Sequence, residues 1–347
     1  MPKTINTALL SYGMSGRVFH APFISLHPGL QLKGSWERSK KLIGNDYPGT
    51  TSYATMEELL ADPSIDLVVV NTPTYTHFDY AKKVLEAGKN AVVEKAFTGN
   101  AAEAEELKEI SLKKGVKLSV FQNRRWDSDF KTVKRVIDQG LLGDIVEVTI
   151  AYDRFNGALS PKAHKETPSA GSGVVKDLSP HIIDQALVLF GMPEGVFADL
   201  MTTRVGSQVE DYLDVRLYYK NHRVRLHSGY FMREPVPSYI VYGKLGTFLK
   251  TRADVQEAKL QAAEKPAPEG WAEPDSERGY LNTEHDGKEI KEKINTERGN
   301  YYAYYDGVYH ALANNKPMPV TVDDGINVMK IIDAVYQSSK EGKVIRL

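Results

Sequence analysis

The chain of 347 residues contains no cysteine. This excludes disulfide bonds, a thiolate nucleophile and cysteine-bound zinc, and it agrees with a reducing compartment. An excess of charge is also lacking: 44 basic residues face 45 acidic ones, so the net charge of −1 indicates neither nucleic acid nor an anionic membrane as a partner. No apolar run approaches the roughly 18 residues of a membrane span, and the first residues lead straight into a predicted strand. We therefore expect a cytoplasmic protein.

The first third of the chain alternates short apolar runs with stretches of helical periodicity. The predicted strands are Ala8–Leu10, Leu30–Trp36, Leu67–Val70, Ala91–Val93 and Leu118–Phe121, with helices such as Met56–Leu60 and Ala81–Ala87 between them. Strands that alternate with helices form a parallel sheet wound on both faces, which binds its ligand at the carboxyl ends of the strands. We predict an N-terminal Rossmann domain of the α/β class.

The pattern changes from about Leu142 onward. Alternating segments rich in β-branched and aromatic residues are Ile145–Tyr152, Val196–Met201, Tyr212–Tyr219, Arg223–Gly229 and Tyr239–Tyr242. Short turns between them favour an open, mainly antiparallel sheet flanked by helices, an α+β domain. Its uncovered face would pack against another subunit, so we expect a homodimer or homotetramer. With the chain length, these patterns predict a dinucleotide-binding domain at residues 1–124 and a substrate-binding and oligomerisation domain at residues 125–347.

A loop of small residues follows the first strand and precedes a helical stretch. This nucleotide loop is Ser11-Tyr12-Gly13-Met14-Ser15-Gly16. A helix N-terminus presents unpaired N–H groups and a partial positive charge, and glycines there let a pyrophosphate approach closely. Ser11 stands in the first glycine position, while Gly13 and Gly16 occupy the close-approach and helix-packing positions. The loop predicts dinucleotide binding; the alternative is an ordinary strand–loop–helix connection.

Residues after later strands concern the choice of cofactor and its surroundings. Glu37 lies where an acid would bind the 2′-hydroxyl of NAD, and the residues directly after it could instead clamp the 2′-phosphate of NADP; they are Arg38, Ser39, Lys40 and Lys41. Asn71-Thr72-Pro73 and Glu94-Lys95 follow strands directly, which places them at the ligand-binding edge of the sheet. On these residues alone, NAD and NADP both stay open.

Three residues are candidates for the chemistry. Lys95 at a strand end could stabilise an alkoxide as a hydride leaves, or it could simply point into water. His181 could take a hydroxyl proton while Asp177 holds a neighbouring hydroxyl. Two structural alternatives stay open: His181 as a packed core histidine, and Asp177 as the N-cap of the following helix. Ser179 could also be that N-cap, with Pro180 at the first helical position.

The residues that could form a metal centre are His164, Asp177, His181 and Asp184. Thiolates, which zinc dehydrogenases usually need, are absent, and no closely spaced histidine pair occurs. We therefore predict no metal.

Taken together, these motifs resemble the glucose–fructose oxidoreductase/inositol dehydrogenase/rhizopine-catabolism (Gfo/Idh/MocA) family along nearly the whole chain. The matching segments are Tyr12–Phe23, Asp66–Pro73 with His77, Glu94-Lys95, Asn123–Phe130 and Asp177–Gln185. The branch that contains NADP-dependent scyllo-inositol dehydrogenases is the most similar. The resemblance implies hydride transfer between NAD(P) and a secondary hydroxyl of a small sugar or polyol, with a slight preference for NADP. An NAD-assisted glycosidase and a non-catalytic dinucleotide-binding regulator are the alternatives.

The resemblance also implies residue roles. Lys95 matches the lysine of the family's Glu-Lys-Pro motif, and Asp177 and His181 match the acid and the histidine that complete a catalytic triad. The nucleotide loop, Glu37, Arg38, Asn71, Thr72, Pro73, His77, Glu94 and Lys95 would contact the cofactor. Three departures are Ser11 for glycine, Ala96 for the proline after Lys95, and residues 163–167 in place of a Trp-Arg-Glu stretch, which suggests a different substrate specificity.

Overall fold

The structure is a computed structural model that describes residues 3–161, 163–234 and 236–347; nothing is said of the side chains of Ala163 and His164. By its contacts the chain divides into two compact units. The first consists of the residues up to Asn123 together with Gln256–Gly270 and Asn300–Ile326, and the second consists of the intervening segments and the C-terminus. In the described part of the chain, no helix is both long and apolar enough to cross a membrane.

The first unit contains a six-stranded parallel sheet. Its strands are β1 (Ile5–Leu9), β2 (Leu30–Trp36), β3 (Thr51–Tyr53), β4 (Leu67–Val70), β5 (Asn90–Val93) and β6 (Leu118–Val120), in the spatial order β3-β2-β1-β4-β5-β6. Every residue of β4 is buried, as expected for a central strand covered on both faces. The strand order reverses between β1 and β4, where such sheets bind their ligands. The predicted Rossmann fold is confirmed.

Twelve α-helices lie in the described residues. They are α1 (Ala21–Leu26), α2 (Ile43–Asp46), α3 (Met56–Ala61), α4 (His77–Glu86), α5 (Ala101–Lys114), α6 (Ser128–Asp138), α7 (Ala163–Glu166), α8 (Val174–Asp177), α9 (Ser179–Phe190), α10 (Gln256–Gln261), α11 (Tyr302–Ala313) and α12 (Val322–Glu341). A π-helical turn, Gly16–His20, precedes α1. Local sequence sets several boundaries: Thr55 and Glu58 form a capping box at the start of α3.

The second unit contains a nine-stranded, mostly antiparallel sheet. Its strands are β7 (Ile145–Ala151), β8 (Gly195–Met201), β9 (Tyr212–Tyr218), β10 (Arg223–Gly229), β11 (Tyr239–Gly243), β12 (Gly246–Lys250), β13 (Gly279–His285), β14 (Lys288–Ile294) and β15 (Ile345–Arg346). Their spatial order is β14-β13-β12-β11-β7-β10-β9-β8-β15, and β7 and β10 pair in parallel. The predicted α+β architecture is confirmed. Strand β14 was not predicted because it is an edge strand without a buried face, and its sequence does not alternate.

The two units are not the predicted consecutive stretches 1–124 and 125–347: residues 256–270 and 300–326 belong to the first unit, and Arg124 belongs to the second. The packing of α11 gives the reason. Tyr301, Tyr304 and Tyr305 are at most 1% exposed, and the ring of Tyr305 stacks on Phe23 of α1 at 6.2 Å. Burial of such large aromatic side chains ties the late helix to the N-terminal sheet.

Candidate active site

The nucleotide loop lies at the crossover of the first sheet and is held by Asn71, directly after β4. The backbone N–H of Ser11 donates to Asn71 Oδ1 at 3.0 Å, and Asn71 Nδ2 donates back to the Ser11 carbonyl at 2.8 Å. The N–H of Gly13 donates to Ser11 Oγ at 3.3 Å. A Cβ on Gly16 would lie 2.4 Å from the Ser11 carbonyl oxygen, so only glycine fits there. The serine in the first glycine position therefore helps to hold the turn.

Tyr12 packs into the first unit instead of facing solvent. It is 6% exposed, and its hydroxyl donates to Asp46 Oδ2 at 2.8 Å; Arg17 Nε lies 3.2 Å from the same oxygen. Burial and the Asp46 carboxylate raise the pKa of Tyr12. Met14 at the loop tip is 56% exposed. Asp46 was not foreseen as a residue of this site, because it lies in a four-residue helix far along the chain.

A buried polar network joins the nucleotide loop to the end of β5. Glu94 Oε1 accepts from Ser15 Oγ at 2.6 Å and lies 3.0 Å from His20 Nε2. The other ring nitrogen of His20, Nδ1, is 2.5 Å from the Tyr305 hydroxyl. His20 is fully buried, and its ring lies against Phe121. The predicted residues Ser15 and Glu94 therefore meet directly, and His20 and Tyr305, which were not predicted as site residues, extend the network from Glu94.

The same network keeps Glu94 ionised beside Lys95. Burial would raise the pKa of Glu94, but hydrogen bonds from His20 and Ser15 and the positive charge of Lys95 outweigh it and lower the pKa to about 2. The backbone N–H of Lys95 donates to Glu94 Oε2 at 3.2 Å. Lys95 is half-buried, and the peptide bond between Lys95 and Ala96 is cis. Lys95 therefore follows directly on an anchored, charged residue at the carboxyl edge of the sheet.

His77, whose predicted contact with the cofactor stays a prediction, is buried at the start of α4. It is 1% exposed; its Nδ1 lies 2.8 Å from the Ala96 carbonyl oxygen, and its Nε2 lies 2.8 Å from the Thr72 carbonyl oxygen. Burial lowers the pKa of His77, although both carbonyl oxygens oppose this shift. The neutral ring has one N–H, so it donates to one of these carbonyl oxygens and lies beside the other, between the segment after β4 and the segment after β5. Pro73 is the N-cap residue of a short 3₁₀ turn, Thr74–Thr76.

A pocket of about 430 Å³ adjoins the nucleotide loop, and Ser11, Tyr12, Gly13, Glu37, Arg38, Ser39, Lys40, Thr72 and Pro73 are among the residues that line it. Glu37 is 7% exposed, and its carboxylate accepts from the N–H groups of Leu42 at 2.6 Å and Ile43 at 3.3 Å. Arg38 and Lys40 are exposed at the same pocket. The acid predicted to bind ribose thus anchors the segment that carries the basic side chains.

These features fit a dinucleotide. The close approach of the backbone leaves no room for a side chain at position 16. The pocket beside the loop combines backbone, hydroxyl and basic groups. A pyrophosphate suits the turn before Gly16–His20, and an adenosine with its 2′-substituent suits a pocket lined by Glu37 and Arg38. The residues present in the first unit are therefore those that such a cofactor requires.

Asp177 and His181 both belong to the second unit, whereas Lys95 belongs to the first. Asp177 is the last residue of α8, and His181 lies in the first turn of α9 and is 6% exposed. Neither predicted N-cap is found, because Leu178 precedes α9 and Ser179 is its first helical residue. The Ser179 hydroxyl donates back to the Val175 carbonyl, which joins α8 to α9. Asp177 is therefore not used as a cap.

Asp177 lines a second pocket, of about 230 Å³, within the second unit. Lys165 Nζ lies 3.1 Å from Asp177 Oδ2, and Arg154 and Glu210 line the same pocket. Lys165 lies in the stretch that departs from the family's Trp-Arg-Glu. The departure thus places an ammonium group on the predicted catalytic acid, a contact that the sequence does not predict because Lys165 lies twelve residues before Asp177.

In the described part of the chain, no three histidine, aspartate or glutamate side chains are grouped so that they could hold a metal ion. The side chain of His164, one of the ligands considered from the sequence, lies outside that part. Asp184 is engaged elsewhere, since its carboxylate accepts from Arg125 Nε at 2.8 Å and Nη2 at 2.6 Å. This bidentate pair anchors the start of the second unit to α9.

The Rossmann sheet and the dinucleotide-fitting loop define a dinucleotide-binding protein, and similarity to an oxidoreductase family makes it an NAD(P)-dependent dehydrogenase. Two family models match the chain: an oxidoreductase family with an NAD-binding Rossmann fold over residues 5–122, and the C-terminal alpha/beta domain of the same family over residues 134–347. The chain belongs to the Gfo/Idh/MocA oxidoreductase family.

Relatives match over the full length. The scyllo-inositol 2-dehydrogenase (NADP(+)) IolW of Bacillus subtilis is 36% identical, and the match covers 99% of this chain and 96% of that one. A putative oxidoreductase from Bacteroides fragilis of solved structure is 43% identical, with a TM-score of 0.91 and coverage of 99% and 100%. The putative oxidoreductase YvaA of Bacillus subtilis is 35% identical, with a TM-score of 0.95 and coverage of 100% and 99%.

Proposed function

We propose that the protein transfers a hydride between NADP and a secondary hydroxyl group of a sugar or polyol. The observation that carries the proposal is the joint placement of the nucleotide loop and Lys95 at the carboxyl edge of one parallel sheet, where Ser15 and Glu94 hydrogen-bond at 2.6 Å. The relative IolW acts on scyllo-inositol according to its name, and this supports the substrate class.

The preference for NADP rests on the surroundings of Glu37. Both of its carboxylate oxygens accept backbone hydrogen bonds from Leu42 and Ile43. Arg38 and Lys40, which line the same pocket, would supply the charge-assisted hydrogen bonds that a 2′-phosphate requires. Glu37 thus serves as the anchor of a phosphate-binding segment instead of as the partner of a ribose hydroxyl.

The proposed mechanism assigns one task to each candidate. When bound, the nicotinamide supplies the acceptor or donor of the hydride. Lys95 donates a hydrogen bond to the reacting oxygen and stabilises the alkoxide that develops on it. His181 takes the hydroxyl proton in the oxidation direction, and Asp177 holds a neighbouring hydroxyl. Glu94 positions Lys95 through the contacts of its carboxylate with Ser15 and His20.

The test compares Lys95→Ala and His181→Ala with the wild type on a panel of polyols and sugars. Each substitution is expected to lower kcat by roughly 10²- to 10⁴-fold, the usual contribution of a positioned acid or base. Titration of nicotinamide fluorescence should show that both variants still bind NADPH. Lys113→Ala and His285→Ala remove matched exposed residues and should leave kcat unchanged.

Other outcomes would overturn the proposal in distinguishable ways. Wild-type turnover in either catalytic variant would contradict the residue assignment. Release of a sugar from a glycoside without net change of the cofactor would indicate a glycosidase. Dinucleotide binding without turnover across the whole panel would indicate a regulator.

We also propose that the open face of the second unit's sheet forms the contact between subunits of a homodimer or homotetramer. Large apolar side chains stand exposed on strands of this sheet: Phe197 is 37%, Met201 46%, Tyr242 45% and Tyr280 38% exposed. An antiparallel sheet can leave one face to water, but large apolar side chains exposed together on such a face are typical of a protein–protein contact. The expected cytoplasmic location stays a prediction.

A further inference from the structure

Two fully buried polar side chains lie next to Glu94 in the first unit. His20 ends the π-helical turn after the nucleotide loop, and Tyr305 lies in α11, 285 residues further along the chain. The Tyr305 hydroxyl lies 2.5 Å from His20 Nδ1, and His20 Nε2 lies 3.0 Å from Glu94 Oε1. The three side chains thus form a series of hydrogen bonds that ends on a carboxylate.

The direction of these hydrogen bonds follows from the charge of Glu94. Its pKa is lowered to about 2, so at neutral pH the carboxylate accepts hydrogen bonds and cannot donate one. An uncharged His20 ring therefore carries its proton on Nε2 and accepts on Nδ1 from the Tyr305 hydroxyl. Burial raises the pKa of Tyr305 well above its usual value, which keeps this hydroxyl protonated. Tyr305 thus selects the tautomer of His20 that donates to Glu94.

Glu94 depends on such donors because its surroundings oppose its charge. Burial alone would raise the pKa of its carboxyl, and the hydrogen bond from His20 is the largest of the opposing effects, ahead of the bond from Ser15. Ser15 belongs to the nucleotide loop, where a bound phosphate competes for its hydroxyl. His20 is shielded from solvent and keeps its contact with Glu94. His20 is therefore the steadier of the two donors.

The charge of Glu94 acts on its titratable neighbours in turn. It opposes the lowering of the His77 pKa and adds to the raising of the Tyr305 pKa. Lys95 stabilises the carboxylate by its positive charge, and Coulomb attraction is mutual, so an ionised Glu94 also attracts the ammonium group of Lys95. The other carboxylate oxygen, Oε2, accepts from the Lys95 backbone N–H at 3.2 Å. Glu94 thus restrains both the backbone and the charge of the lysine.

We propose that His20 and Tyr305 are positioning residues for Lys95, because together they keep Glu94 a carboxylate and direct it at the segment that carries the lysine. This inference rests on the proposed function, in which Lys95 stabilises the alkoxide. Its consequence is a dependence on pH. Without the His20 donor, Glu94 takes up a proton much nearer to neutral pH, and Lys95 loses the neighbouring negative charge.

The first test follows the titration of Glu94 in the protein without substrate or cofactor. Carbon-13 NMR of protein with labelled glutamate carboxyls measures it, and Glu94→Gln identifies the signal. In the wild type the signal should stay that of a carboxylate down to about pH 4, below which the ordinary glutamates also titrate. In His20→Phe it should titrate between roughly pH 5 and 8, the range of a buried carboxyl that has lost its donor. Tyr305→Phe should shift it in the same direction by a smaller amount.

The second test measures kcat/KM against pH for carbonyl reduction with NADPH, using the ketone that corresponds to the best polyol of the panel. In this direction the protonated form of His181 is the active one, so His181 does not cause a loss of activity in acid. His20→Phe and Tyr305→Phe should lose activity at a higher pH than the wild type. Each pH unit of this shift lowers kcat/KM on the acid side about tenfold.

A neighbouring tyrosine provides the matched control. Tyr304→Phe removes an equally buried hydroxyl of α11, which lies 3.0 Å from Ser119 Oγ, and it should leave the pH profile unchanged. Tyr305→Phe keeps the ring that stacks on Phe23 and removes the hydroxyl only. His20→Gln supplies an amide donor and should restore part of the acid-side activity that His20→Phe loses.

The outcomes separate a positioning role from a structural one. Lower melting temperatures with an unchanged Glu94 titration and an unchanged pH profile would overturn the inference. If His20→Phe does not fold, the comparison of Tyr305→Phe with Tyr304→Phe decides in the same way. If the wild type turns over no substrate, the proposed function fails, and the NMR titration decides separately whether His20 and Tyr305 hold the charge of Glu94. Equal titration in the wild type and both variants would then overturn the inference.

Discussion

Glu37 shows how the hydrogen bonds around one residue can change the role predicted for it. An acid after the second strand is the usual partner of the ribose 2′-hydroxyl in NAD enzymes. Here its carboxylate accepts hydrogen bonds from the N–H groups of Leu42 and Ile43 at the start of α2. These bonds hold the two ends of the segment that carries Arg38 together. The sequence pattern identifies the place of the acid, while the hydrogen bonds of its two oxygens support the proposed preference for NADP.

At this scale, Arg38→Ala tests the choice of cofactor. Loss of the guanidinium should weaken NADP⁺ binding roughly tenfold or more and leave NAD⁺ binding within about twofold, because only NADP carries the 2′-phosphate. Titration calorimetry with both nucleotides measures this, and Arg346→Ala serves as a control at an exposed arginine of the second unit. Selective binding of NAD⁺ by the wild type would contradict the prediction and indicate that Glu37 binds the ribose 2′-hydroxyl.

At the scale of elements, one arginine anchors the segment between β7 and α8. Arg204 donates to Glu166 through Nη1 at 3.1 Å and Nη2 at 2.9 Å, and its Nε donates to Asp211 at 2.9 Å. Nη1 also donates to the Ala158 carbonyl, and the guanidinium lies over Tyr230 at 4.4 Å. Glu166 directly follows Lys165, so this anchor also sets where Lys165 can reach Asp177.

Removing the anchor should destabilise the second unit. Arg204→Met leaves two acids buried without their cation, which costs about 3 kcal/mol and lowers the melting temperature by roughly 5–10 °C. Scanning calorimetry measures the shift. Lys244→Met breaks an exposed ion pair with Asp144 and should leave the melting temperature unchanged. Equal melting temperatures of Arg204→Met and the wild type would show that the segment is held by other contacts.

The stability contributed by this anchor also depends on pH. Burial raises the pKa of both Glu166 and Asp211, but hydrogen bonds from Arg204, Ser207 and Thr203 outweigh it and lower both values. A lowered folded-state pKa means that the stabilisation is present above the usual carboxyl range of about 4 and is lost as the pH falls through the folded values. The difference in melting temperature between the wild type and Arg204→Met should therefore shrink in acid.

At the scale of the molecule, the open sheet of the second unit is the proposed subunit contact. Light scattering should give a mass of two or four chains, and Phe197→Glu should dissociate the assembly because it places a charge among exposed apolar side chains. Leu112→Glu, at a residue of α5 that is 70% exposed, is the control and should leave the mass unchanged. A monomeric wild type would contradict the proposal.

Individual strands and contacts show which parts of the fold could be predicted from the sequence. Leu30–Trp36, Leu67–Val70 and Arg223–Gly229 were predicted to the residue, because each has clear β-periodicity or an apolar run with distinct ends. The three-residue strand β3 and the edge strand β14 were not predicted, since neither has such a pattern. In the site, Ser15 and Glu94 were foreseen separately, but their meeting with His20 and Tyr305 was not.

The sequence by itself determined the fold class, the family and the identity of the nucleotide loop, since these depend on periodicity and spacing within short segments. Tertiary structure alone decided which distant segments form each unit, which groups bind the carboxylate of Glu37, and that Tyr305 of α11 contacts His20. The physical reason is that such contacts join residues far apart in the chain, and their partners depend on burial, distance and charge in the folded state.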